Sequence, residues 1–103
     1  MSRQLFYKLV GKKPVPDETN GKWMSNPENT KFRVVGVTET KKSTISTVFL
    51  GLNHSFINEQ PIFFETLVLS GPLKGEVIRY QTWNQAEKGH KEMVERVIAA
   101  EKH

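Results

Sequence analysis

A chain of 103 residues has room for one domain and one core. Its 37% hydrophobic and 10% aromatic content excludes a disordered chain, and the absence of cysteine excludes a disulfide framework or a thiolate metal site. The net charge of +4 admits an anionic partner. Only Lys12 and Lys13, and Lys41 and Lys42, are adjacent lysines, so a solvated surface is favoured over a dedicated nucleic-acid face.

The opening MSRQLFYKLVGKK has a short apolar run between charges and does not read as a signal peptide. The run IFFETLVL is broken by Glu65 and is too short to span a bilayer. A cytoplasmic protein with no membrane contact is expected. Gln4 to Val10 has the composition of an edge strand, ended by Gly11, with Pro14 and Pro16 removing backbone donors straight afterwards. Asp17 to Thr30 is a polar loop with turn chemistry at Asn20-Gly21 and Asn26-Pro27. Trp23 and Met24 interrupt it, and are expected to plug back onto the core, on a short helical turn, rather than grip a partner.

Phe32 to Thr38 is a second strand, with Gly36 a candidate bulge or close backbone approach. After the polar link Glu39 to Ser43, a third strand covers Ile45 to Leu52, and Gly51 would make room for a packed ring or a ligand. Asn53 to Gln60 is a loop, and Pro61 opens a fourth strand from Ile62 to Leu69. The third and fourth strands carry apolar residues on both faces, which suits a central position or a dimer interface. Ser70 to Gly75 is a turn and Glu76 to Gln81 a fifth strand.

Thr82 and Gln85 form a capping box that opens the only long helix. Trp83, Ala86, His90, Met93, Val94 and Val97 make one apolar stripe along it, and Ala99 to His103 is expected to fray. The fold class is therefore α+β: an antiparallel meander of about five strands packed by one C-terminal helix, in a single domain spanning 1–103.

No catalytic or metal-binding motif is present, and no cofactor is expected. The candidate ligand-binding residues are Asn53, His54, Glu65, Arg79, Tyr80 and Trp83. His54 ends the central strand, on a loop of the kind where scaffolds place function. Glu65 and Arg79 on neighbouring strands could join it. Against that stands a cross-sheet Glu65–Arg79 pair with His54 capping the loop, since a charge on a two-sided apolar strand must find a partner. Tyr80 and Trp83 could stack a flat ligand, or simply hinge the core. His90 lies on the helix stripe and reads as a satisfied core histidine rather than a ligand. Ser46, Thr47 and Ser55 have no adjacent base and little claim to a nucleophilic role.

The segments STVFLGLNHSF, PIFFETLVLSGPLKGE and RYQTWNQAEKGHKEMVERV, with the opening YKLVGKKPVP, resemble a group of small phage and prophage proteins. Those share S-T-V-x-L-G-L-[DN]-H, F-E-T-x-V, R-Y-x-T-W-x-x-A and G-H-x-x-M-V. The resemblance covers most of the chain outside Asp17 to Lys42 and carries no assigned activity. This chain has Asn53 where members of the group tend to carry aspartate, so it brings no carboxylate there. The resemblance implies a phage-encoded accessory protein in the cytoplasm of a bacterial host. The expected function is non-enzymatic binding, with counter-defence by sequestering a host protein or a small anionic, nucleotide-like ligand as its form. The alternatives are a small enzyme acting on a phosphoester through His54, Glu65 and Arg79, and a phage structural or assembly protein. A homodimer is expected, because one helix covers only one face of a sheet that is apolar on both, and the other face needs the N-terminal segment with Trp23 or a second subunit.

Overall fold

Branched side chains at Ile45, Thr47 and Val48 and the rings of Phe49 and Phe64 favour extended backbone. The computed structural model, which describes residues 6–52 and 62–102, places them at the centre of a sheet. Strands β3 (Val34–Glu39), β4 (Thr44–Phe49), β5 (Phe64–Val68) and β6 (Val77–Tyr80) form a four-stranded antiparallel sheet in sequence order. One helix, α3 (Trp83–Glu101), packs across it and touches all four strands. The architecture is α+β.

The strict alternation along β4 and β5 sorts the side chains. Ile45, Thr47 and Phe49, with Phe64, Thr66 and Val68, turn inward toward α3 and are buried. Ala86, Met93 and Val97 of α3 are fully buried against them. Two apolar clusters result. One holds Leu9, Phe49, Phe63, Phe64 and Ala86 near the start of α3, and the other holds Ile45, Val68, Met93 and Val97 further along.

The start of α3 is fixed as its sequence requires. Gln85 N donates to Thr82 Oγ1 over 3.1 Å, and Thr82 N donates to Gln85 Oε1 over 3.2 Å. Both satisfy donors that the first turn would otherwise leave open. The other end does not fray before Glu101, contrary to expectation. The Glu101 carboxylate accepts from Thr40 Oγ1 (2.5 Å), Ser43 Oγ (2.6 Å) and Lys42 N (3.2 Å), which ties the last turn to the β3–β4 connection. Those bonds, from the Ser43 hydroxyl first, hold its carboxyl below the ordinary range.

The N-terminal strand does not join the sheet. It forms a hairpin, β1 (Tyr7–Val10) with β2 (Lys13–Pro16), so the segment after Gly11 that holds the two prolines is itself a strand. A two-stranded ribbon tolerates them because the lost donors of an edge strand need no partner. Tyr7 N donates to Gly51 O over 2.8 Å and Phe6 bridges to Leu52, which fastens the hairpin to the chain just after β4. Short helices α1 (Lys22–Ser25) and α2 (Thr30–Arg33) follow, so Phe32 and Arg33 precede the second expected strand rather than opening it. Trp23 plugs the core edge-on to Phe49, with ring centroids 6.0 Å apart. The space at Gly51 takes the Met24 side chain. The buried Asp17 carboxylate organises this region by accepting from Thr19 N (2.8 Å) and Trp23 N (3.3 Å) as well as from the Thr19 hydroxyl.

Candidate functional site

Inward threonines on an otherwise apolar face need hydrogen-bond partners. Here they find each other and one histidine. His90 Nε2 lies 2.8 Å from Thr38 Oγ1 and its Nδ1 lies 2.7 Å from Thr47 Oγ1. Thr47 Oγ1 is 2.5 Å from Thr66 Oγ1, which accepts from the Tyr80 hydroxyl over 3.1 Å. Every strand of the sheet contributes one member to this chain, and α3 contributes the imidazole. Two glycines make it possible. A Cβ at Gly36 would lie 3.1 Å from His90 Cδ2, and one at Gly89 would collide with the Tyr80 ring.

A neutral imidazole satisfies the row from end to end: Tyr80 donates to Thr66, Thr66 to Thr47, Thr47 to Nδ1, and the Nε2 proton goes to Thr38. Burial pushes the His90 pKa down, in the direction that keeps the ring neutral. In this tautomer the one basic lone pair, on Nδ1, accepts from Thr47 and the Nε2 proton is spent on Thr38, so the ring offers nothing to a substrate or a metal. His90 is a satisfied core histidine, as its place on the helix stripe suggests. No local pattern marks the threonine row, although Thr47 and Thr66 share the parity of the buried apolar residues in their strands.

Of the expected site residues, the sheet register brings Glu65 and Arg79 directly opposite each other. Arg79 Nε donates to Glu65 Oε2 over 3.0 Å. The pair faces away from α3, with half of the Arg79 side chain exposed, so it is not the buried pair that two-sided apolar strands suggested. The helix covers the other face. Asn53 and His54 lie outside the described residues, so the His54–Glu65–Arg79 grouping is represented only by its salt bridge. Tyr80 gives its hydroxyl to Thr66 and lays its ring over Gly89. Trp83 meets Phe64 edge-on at 6.0 Å, and the Lys12 ammonium sits 5.7 Å over its ring. Both aromatics pack against the first apolar cluster as hinges of the core, and the buried Trp83 indole N–H has no hydrogen-bond partner among the described residues.

The outward face of the sheet is different in kind. One row across it reads Val37, Ser46, Leu67, Val77, and the next reads Val34, Val48, Glu65, Arg79. Val37 and Val77 are 56% and 44% exposed, and Val34 and Leu69 are exposed beside them. The only charges in these two rows neutralise each other. Among the described residues no group of acidic, histidine or cysteine side chains could hold a metal ion, and no helix is long and apolar enough to cross a membrane. No protein-family model, no curated protein and no solved structure matches the chain.

Proposed function

We propose that this chain is a non-enzymatic binding protein, and that it binds a protein partner through the outward face of its sheet. The observation that supports this reading is the row Val37, Ser46, Leu67, Val77, three of whose four side chains are apolar, with Val37 and Val77 left exposed by the described residues and a salt bridge alongside that already satisfies its own charges. A face of this kind gains from being covered and loses little, since no unpaired charge is desolvated. The acid–base machinery an enzyme would need is not assembled by the described residues: His90 is neutral and engaged at both nitrogens. With the resemblance to small phage proteins, the partner is a bacterial host protein and the setting the host cytoplasm. A small anionic ligand fits this face less well, because Arg79, the one cation in these two rows among the described residues, is already paired.

Leu67→Lys tests the reading, since Leu67 points away from the α3 core. Tagged wild-type chain cross-linked in bacterial cells should capture one discrete host protein. Leu67→Lys should lose it while keeping the wild-type melting temperature, and Lys91→Glu on α3 should retain it. A partner that Leu67→Lys still captures, or turnover of a phosphoester by the purified chain, overturns the proposal. A concentration-dependent dimer abolished by Leu67→Lys would assign the face to a second copy of the chain instead.

A further inference from the structure

The side chain of an asparagine is open to attack by the backbone nitrogen of the residue that follows it. The reaction needs a proton on that nitrogen and a next side chain that leaves room. Among the described asparagines these conditions are met once. Asn26 precedes Pro27, whose nitrogen has no proton to lose. Asn29 precedes the branched Thr30, whose backbone N donates to Pro27 O. Asn84 lies in α3, and the backbone N of the next residue, Gln85, donates to Thr82 Oγ1. Asn20 precedes a glycine.

The fold itself calls for this pair. Asn20 is exposed with a φ of 55° and Gly21 has a φ of 87°, so both central residues of the turn stand in the left-handed region. Asparagine and glycine are the residues that take up that conformation most readily. No other side chain fits at Gly21, because a Cβ there would lie 2.9 Å from Phe6 Cδ1. The turn is closed by Lys22 N donating to Thr19 O over 3.4 Å, long for a backbone hydrogen bond. Among the described residues the Gly21 N–H has no hydrogen-bond partner. Gly21 is buried under the Phe6 ring, so the reaction proceeds from the opened turn, and its rate reports how often that turn opens.

We propose that Asn20 is a site of spontaneous covalent modification, converting to aspartate and isoaspartate, and that the isoaspartate form loosens α1. The Gly21 nitrogen gives its proton to a base in solvent and bonds to Asn20 Cγ. The Cγ–Nδ2 bond breaks, ammonia leaves with a proton taken from water, and a five-membered succinimide remains. Water then opens that ring. Opening at Cγ leaves aspartate, and opening at the Asn20 backbone carbonyl leaves isoaspartate, whose main chain runs through Cβ and Cγ. One water is consumed, one ammonia is released, and nothing is oxidised or reduced.

Both products add a negative charge to a chain of net charge +4, but only isoaspartate lengthens the backbone. The extra carbon enters just before α1. There Gly21 O accepts from Ser25 N and from Ser25 Oγ, each over 3.1 Å, and Trp23 N donates to Asp17 Oδ2 over 3.3 Å. Lengthening the chain at this point takes those pairs out of register, and the Trp23 ring leaves its seat against Phe49. The change concerns the α1 region and makes no use of the outward face of the sheet.

The test is to incubate the full chain at neutral and at mildly alkaline pH. Peptide mapping by mass spectrometry locates the conversion, and methylation by a protein isoaspartate methyltransferase measures the isoaspartate formed. Asn20 should convert ahead of Asn29 and Asn84, and faster as pH rises, because the nucleophile is the deprotonated Gly21 nitrogen. Asn20→Gln should abolish the signal, since its longer side chain would have to close a less favourable six-membered ring. In the separated isoaspartate form the Trp23–Phe49 ring contact should be lost from NMR spectra, whereas Asn20→Asp should keep it. Absence of conversion at Asn20 in the folded chain, even where the urea-unfolded chain converts, overturns the proposal. So does equal conversion at Asn29 or Asn84, and so does an isoaspartate form that retains the Trp23–Phe49 contact.

Discussion

Gly89→Ala should destabilise this protein, although on helix propensity alone it should do the opposite. Glycine in a helix interior costs about 1 kcal/mol relative to alanine, so the substitution begins with that gain. The new Cβ, however, would fall within contact distance of Tyr80 Oη, Cε1 and Cζ. Tyr80 is not free to step aside, because its ring belongs to the packing around Phe64 and its hydroxyl donates to Thr66. Overpacking of this kind costs about 1–3 kcal/mol, and the displaced hydrogen bond about 0.5–1.5 kcal/mol more. Subtracting the helix gain leaves a net loss of about 0.5–3.5 kcal/mol. Urea denaturation followed by circular dichroism measures it directly. The decisive comparison is the Tyr80→Ala background, where the obstacle is gone and Gly89→Ala should become stabilising by about 1 kcal/mol. If Gly89→Ala raises stability in the wild-type background, the close approach of Tyr80 to α3 is wrong, and so is the row of hydrogen bonds that depends on it.

Thr47→Val keeps the shape of the residue but deprives His90 Nδ1 and Thr66 of their partner, at an expected cost of about 1–3 kcal/mol by denaturant titration. Stability should also fall with acid in two stages. Burial holds His90 below its ordinary pKa of 6.5, so between the folded and unfolded values the unfolded chain binds the extra proton. The His90 contribution is thus complete above 6.5 and declines as pH falls below it, and His90→Gln should remove this first stage. The second stage belongs to Asp17 and Glu101, whose carboxyls the Thr19 and Ser43 hydroxyls hold below the ordinary 3.8 and 4.5; their contribution is complete above those values and is lost as pH falls through the lowered ones. A double-mutant cycle on Glu65 and Arg79 should give a coupling of about 0.2–1 kcal/mol, as for an exposed pair, and a value of several kcal/mol would mean that the outward face is covered. Thr82→Ala should cost about 1 kcal/mol through the lost cap and Trp83→Ala about 3–5 kcal/mol through lost packing, both read from thermal melts.

The sequence discloses some of this architecture because certain signals are local. The Thr82–Gln85 box and the stripe from Ala86 to Val97 depend on spacing along one helix, and the alternation in β4 and β5 depends on strand parity alone. The pairing of Glu65 with Arg79 follows from the same parity once the turn between the strands is recognised. What could not be read is set by contacts distant in sequence. Whether the Glu65–Arg79 pair is buried depends on which side α3 lies. Pro14 and Pro16 argue against a strand, and only pairing with Tyr7 and Leu9 makes them one. The bond from Thr38 to His90 joins residues 52 positions apart, and no local pattern announces it. Glu101 extends the helix for the same reason, since its partners lie on the β3–β4 connection.

The threonine row also bears on how the strands find their alignment. Sliding β4 against β5 by two residues would keep every inward side chain inward, so hydrophobic patterning does not forbid it. The slide would set Thr47 opposite Phe64 or Val68 rather than Thr66. Each hydroxyl would then face hydrocarbon in place of its hydrogen-bond partner. At about 1–3 kcal/mol for every group orphaned in this way, the displaced pairing cannot compete. A chain with valine at both positions could be as greasy and as well packed, yet it would lose the key that distinguishes one strand alignment from its neighbours. In this small sheet, polarity in the core serves as the ruler against which the strands are measured.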